Sequence, residues 1–120
     1  MRAQIHSIGT LIGDHLESVE VEDALHFSEM VRVLIGPESS EGEEIFDICV
    51  VSPQWIESEC ERVGYWKSLR TLVISRWDVE LVKKAIRGTV EKVHGDSWDA
   101  VARQLAAFMF WEFQDYRERP

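Results

Sequence analysis

Two runs of alternating apolar residues, separated by a short polar loop, restrict this chain more than any other feature. Between Phe27 and Ile35, Val31, Val33 and Ile35 fall on one side of an extended backbone, with Met30, Arg32 and Leu34 on the other. Between Ile45 and Val51 the same pattern puts Phe46, Ile48 and Val50 on one face and Ile45, Asp47, Cys49 and Val51 on the opposite one. Successive side chains of a strand point to opposite faces, so both runs read as strands. Gly36-Pro37 stops the first, and a polar, acidic loop leads to Gly42. Two strands joined by a short glycine-containing loop form an antiparallel hairpin.

The rest of the chain arranges itself around that hairpin. Arg2 to Leu11 reads as an earlier strand, with Ala3, Ile5 and Ser7 on one side and Gln4, His6 and Ile8 on the other. Gly9 and Gly13 weaken its end and lead into an acidic connection. Ser52-Pro53 opens a short helix, serine as the cap and proline at the first helical position, where its missing N–H costs nothing. Its inward residues are predicted to be Trp55, Ile56 and Cys60, with Glu57, Glu59 and Glu61 solvated and Gly64 at its end. Leu69 to Ser75 reads as a fourth strand. Asp78 caps a helix with the apolar stripe Val79, Val82, Ile86, Val90 and Val93 and the basic outer face Lys83, Lys84, Arg87 and Lys92.

The stretch Gly95 to Tyr116 completes the chain as a terminal helix. Asp96 or Ser97 caps it, Asp99 sits beside the positive end of its dipole, and Trp98, Val101, Ala102, Leu105 and Met109 share one face. Phe108, Phe110, Trp111 and Phe113 then cover too many directions for one buried stripe. The end of this helix is either wrapped by the fold or turned toward a partner. Consecutive strands with helices collected after them predict one α+β domain over residues 1–120. Its antiparallel sheet has about four strands, with two main helices and one short helix packed against it.

A chain of 120 residues is long enough to bury one hydrophobic core. It contains no uncharged apolar run of membrane-spanning length. The start has no apolar signal region, and Cys49 and Cys60 read as free thiols, so a cytoplasmic protein is expected. The charge is unevenly placed. Residues 1–61 hold fourteen acidic side chains against Arg2 and Arg32, whereas residues 62–120 hold eleven basic and eight acidic ones. Much of the acidity lies in two clusters, Asp14 to Glu29 and Glu38 to Asp47. Such a field repels nucleic acid and anionic membrane and steers basic proteins, although acidic surfaces also serve solubility.

Signals for chemistry are sparse. His6, His15, His26 and His94 stand at no metal-ligand spacing, and the cysteines have no histidine near them at that spacing. Gly36, Gly42 and Gly64 do not form a phosphate-cradling loop. Glu57, Glu59 and Glu61 lie two apart and splay around a helix. The residues alone describe an acidic α+β domain that is not an enzyme, with no metal or cofactor.

Several short motifs occur in order along nearly the whole chain: Ile35-Gly36-Pro37; Glu41-Gly42-Glu43-Glu44 with Phe46-Asp47; and Ser52-Pro53-Gln54-Trp55-Ile56. They continue with Leu72-Val73-Ile74 leading to Trp77-Asp78, then Gly95-Asp96-Ser97-Trp98, and finally Trp111-Glu112-Phe113-Gln114-Asp115-Tyr116. In these the chain resembles the immunity protein 8 family of bacterial polymorphic toxin systems. Gln114 stands where an acidic residue is expected, and Cys60 to Arg70 departs from the pattern. The resemblance implies a protein that binds a cognate toxin, for which a nuclease is one candidate, and neutralises it by occluding its active site. The expected partner is a protein toxin with a basic surface, with no nucleic acid or membrane partner. The residues expected to bind it are Glu38, Glu41, Glu43 and Glu44 in the acidic loop and Trp111, Glu112, Asp115 and Tyr116 at the C-terminal end. The alternative is an acidic regulatory or assembly module that forms a homodimer or larger homo-oligomer.

Overall fold

The computed structural model describes residues 1–114; Asp115 and Tyr116 lie outside the described residues. Ser28–Pro37 (β2) and Glu44–Val51 (β3) form the antiparallel hairpin, in register from Ser28 opposite Val51 to Ile35 opposite Glu44. Val31, Val33, Ile35, Phe46, Ile48 and Val50 are buried on one face, as the alternation requires. Gly36 and Pro37 do not stop β2 but extend it, Pro37 lying opposite Ala3 at the strand's last position.

Ala3–Gly9 (β1) pairs antiparallel with β2, with a register shift. Ile5 faces Ile35 and Ser7 faces Leu34, so His6 is an extra residue in a β-bulge. The bulge exchanges the faces: beyond it Ile8, not Ser7, joins Ala3 and Ile5 against the core. The outer edge of β1 is closed at both ends, by a bridge between Arg2 and His94 and another between Gly9 and His15. Bridges at both ends shorten the stretch of edge open to strand addition. The acidic connection after β1 contains a one-turn 3-10 helix, Leu16–Ser18, whose Leu16 is fully buried in the core.

The far edge of β3 takes two short strands end to end. Thr71–Val73 (β4) runs parallel to Cys49–Val51, and Phe110–Trp111 (β5) runs antiparallel to Phe46–Asp47. Parallel pairing needs a crossover, and Pro53–Val63 (α1) supplies it. The resulting sheet is open, with five strands and antiparallel pairing everywhere except at β4.

Val79–Glu91 (α2) and Trp98–Leu105 (α3) cover the inner face of the sheet with Val82, Ile86, Val90, Val101, Ala102 and Leu105. Asp78 and Ser97 cap them by accepting the Leu81 and Ala100 N–H groups. The predicted terminal helix is therefore half right: it ends at Leu105. Met109, 1% exposed, fills the core from the turn, and the chain then becomes β5. Period two replaces period 3.6 there, and the directions that fit no helical stripe separate into Trp111 inward and Phe110 outward.

α1 stands apart. Ser52 accepts the Trp55 N–H at 3.3 Å, and Gly64, at φ 91°, ends the helix by donating its N–H to the Cys60 carbonyl. None of its residues is buried. Trp55 and Ile56 are half-buried, but Cys60 is exposed, contrary to its expected inward position, because α1 contributes no residue to the core. Both cysteines are free.

Candidate partner-binding site

The loop between β2 and β3 carries the acidic residues singled out above, and its path is set by backbone contacts. The Gly42 carbonyl oxygen stands where a β-carbon on residue 36 would project, so the loop folds down onto Gly36 as no other residue permits. Gly42 itself adopts φ 106°, a left-handed conformation suited to glycine. The Glu38 N–H donates to the Arg2 carbonyl at 3.0 Å, fixing the loop's first residue to the start of β1.

Within that frame the predicted carboxylates divide. The Trp98 indole N–H donates to both oxygens of Glu44, at 2.9 and 2.8 Å, joining the start of β3 to the first turn of α3. Glu43 Oε2 lies 2.6 Å from His6 Nδ1, on the bulge of β1. Glu112 Oε1 accepts the Ile45 N–H at 2.9 Å, and the Glu112 N–H donates to the Ile45 carbonyl at 3.1 Å, prolonging the pairing of β5 with β3. Glu38 and Glu41 are exposed, and their carboxylates meet no ion-pair partner among the described residues. Glu38 borders a groove of about 470 Å³ between β1 and α2, beside Arg2 and Arg87.

Behind these carboxylates lies an aromatic stack. Trp111 lies parallel to Phe46, with centroids 6.2 Å apart, and Trp98 and Phe113 meet this pair edge-on. The Trp111 indole N–H is buried and has no hydrogen-bond partner among the described residues. Trp111 is half-buried and packs against the core. Loop, β5 and the first turn of α3 meet at one end of the sheet. Exposed Asp96, two residues before Trp98, adds its charge there. Sequence reasoning assigned Asp96 only to capping, because nothing in the linear chain brings residues 44 and 98 together.

Candidate chemistry elsewhere resolves into structure. His26 Nε2 lies 2.9 Å from Ser58 Oγ, but that hydroxyl donates to the Gln54 carbonyl at 3.1 Å, within its own helix. The pair ties the chain before β2 to α1 and leaves the serine no free proton to give a base. Among the described residues no three His, Cys, Asp or Glu side chains gather as metal ligands. No helix among them is long and apolar enough to cross a membrane.

Four of the sequence motifs lie at the acidic end, in β2, the loop and β3, the turn leading into α3, and, for the described part of the last motif, from β5 onward. Ser52 and Trp77 build a second junction: the Ser52 hydroxyl accepts the Phe27 N–H at 3.1 Å, and Trp77 packs edge-on against Phe27. Comparison with curated proteins and with solved structures gives no match. A family model described as Immunity protein 8 does match, over residues 3–116 and so across almost all of the fold just described; the chain belongs to the immunity protein 8 family.

Proposed function

We propose that this immunity protein binds a toxin made beside it, inside the producing cell, and neutralises it by covering the surface through which the toxin acts. The reading is supported above all by the acidic end, whose loop rests on Gly36 and is tied to the Arg2 carbonyl. Folding uses Glu43, Glu44 and Glu112, while Glu38, Glu41 and Asp96 keep their charge turned outward. An acidic surface complements a basic one, and a toxin acting on nucleic acid is basic where it grips phosphate. A nuclease is therefore the toxin class that fits best. The protein's part is steric and electrostatic, with no bond made or broken.

The test is association kinetics with the toxin domain encoded beside this chain's gene. Glu38→Gln combined with Glu41→Gln removes outward charge and leaves the Trp98 and His6 contacts intact. Association slows by roughly three- to tenfold at low salt, the dissociation rate hardly moves, and the salt dependence flattens. At 0.15 M salt screening acts over about 8 Å, so parent and variant converge there. If the double variant matches the parent in rate and in cell protection across the salt series, the acidic end serves only solubility.

A further inference from the structure

We infer that the outer face of the sheet, opposite α2 and α3, is the surface on which the toxin is seated, by an apolar or aromatic anchor ringed with lysine and arginine. The inference rests on the immunity reading and adds the surface that carries the binding energy.

Registry defines this face. Met30 lies opposite Cys49, Arg32 opposite Asp47 and Leu34 opposite Ile45, all pointing away from the helices. Phe110 of β5 lies beside Asp47, and Val73 of β4 beside Val51. An antiparallel sheet face left to water ordinarily carries polar residues. Here Met30, Val73 and Phe110 are 38, 46 and 44% exposed, and Leu34, Ile45 and Cys49 are half-buried and do not belong to the core beneath α2 and α3. Val51 is fully buried where α1 departs, Gly36 lies under the acidic loop, and the Leu11 carbonyl accepts a hydrogen bond from Arg32 Nη1 at 3.3 Å.

The polar groups on the face are already used. Arg32 donates to both oxygens of Asp47, from Nε at 2.9 Å and Nη2 at 3.1 Å. Arg70, held at φ 55°, donates to the Ala106 carbonyl at 2.7 Å and lies over the Phe110 ring, 5.4 Å from its centroid. Both guanidiniums are thus neutralised or spent, and the face ends at Glu41, Glu43 and Glu112. An apolar centre with an acidic margin complements an apolar anchor with a basic ring. The margin steers the toxin and the centre holds it.

Dissociation rates separate the two roles. Met30→Arg and Phe110→Ala are the perturbing variants, and Leu81→Arg, on an equally exposed apolar residue of α2, is the comparison. Thermal melts confirm that each folds; Met30→Ala replaces Met30→Arg if the latter does not. Each outer-face variant is expected to dissociate from the toxin domain about 30-fold faster or more, the scale of a hot-spot residue, and Leu81→Arg less than about threefold. If folded outer-face variants dissociate like the parent, while the Glu38, Glu41 double variant still associates slowly, the toxin sits elsewhere and the immunity reading stands. A parent with no affinity for the toxin domain overturns both. If the parent is a dimer by light scattering, and Met30→Arg makes it monomeric with toxin binding unchanged, the face belongs to a second copy and the inference fails.

Discussion

Trp98 joins the sheet to α3 by two separable interactions, which makes its contribution measurable in parts. Its N–H reaches both Glu44 oxygens at 2.8–2.9 Å, and its ring meets Phe46 edge-on at a centroid distance of 6.5 Å. A hydrogen bond to a charged acceptor contributes about 1.5–3 kcal/mol, and the lower end applies because Glu44 is half-exposed and water replaces the lost donor. Trp98→Phe should therefore cost about 1–2 kcal/mol. Trp98→Ala also loses the aromatic contact, about 0.5–1.5 kcal/mol, and most of a large side chain's burial. Full burial would bring the cost to about 3–5 kcal/mol, and partial exposure of Trp98 lowers the expectation to about 2–4 kcal/mol. Urea unfolding followed by far-ultraviolet circular dichroism measures both, because the other four tryptophans would complicate fluorescence. In a Glu44→Gln background the cost of Trp98→Phe should shrink, since the charge-assisted part is already gone. A loss below about 1 kcal/mol for Trp98→Ala, or no coupling between positions 44 and 98, would refute the assignment of Glu44 to the fold.

Two further outcomes follow from contacts elsewhere in the fold. Gly36→Ala places a methyl group against the Gly42 carbonyl and should cost about 1–3 kcal/mol while displacing the acidic loop; an unchanged melting temperature would mean that the loop does not rest on Gly36. The Lys83 hydrogen bond holds the Glu17 carboxyl below its ordinary value of 4.5, so the stability it confers is present above that value and is lost as pH falls through the folded value. The melting temperatures of the parent and Glu17→Gln should therefore differ at neutral pH and converge in acid, and a difference that does not change with pH would exclude the pair as its source.

The hairpin, α2, the first half of α3 and the α+β class were legible because each rests on a local period. Val31, Val33 and Ile35 cannot alternate as they do and serve a helix equally well, and Val82, Ile86 and Val90 cannot form a stripe in a strand. What escaped was set by distant partners. The His6 bulge exists only relative to β2, and two residues, Phe110 and Trp111, make a strand only because the edge of β3 is there to receive them. Leu16 sits among acidic residues that read as a solvated connection, yet one 3-10 turn drives it into the core. Cys60 met the spacing for an inward position, but the partly buried side of α1 is made by Trp55, Ile56, Ser58 and Glu59 and leaves Cys60 exposed.

The candidate binding residues were harder to read, for a reason specific to charge and aromaticity. Net charge counts Glu41 and Glu44 alike, but the indole N–H of Trp98, fifty-four positions along the chain, converts one of them from a surface group into a fastener. Trp111 was expected as an anchor for the toxin because large aromatics dominate interfaces, yet stacking on Phe46 occupies the ring the partner would need. Trp111→Ala would thus lower toxin binding by loosening β5, and that result alone would not place Trp111 in the interface. A side chain qualifies as a contact only where folding has left it unused. By that criterion Glu38 and Glu41 remain from the acidic loop, and Met30, with the exposed part of the Phe110 ring that Arg70 does not cover, enters from a face whose alternation marked it merely as the side away from the core.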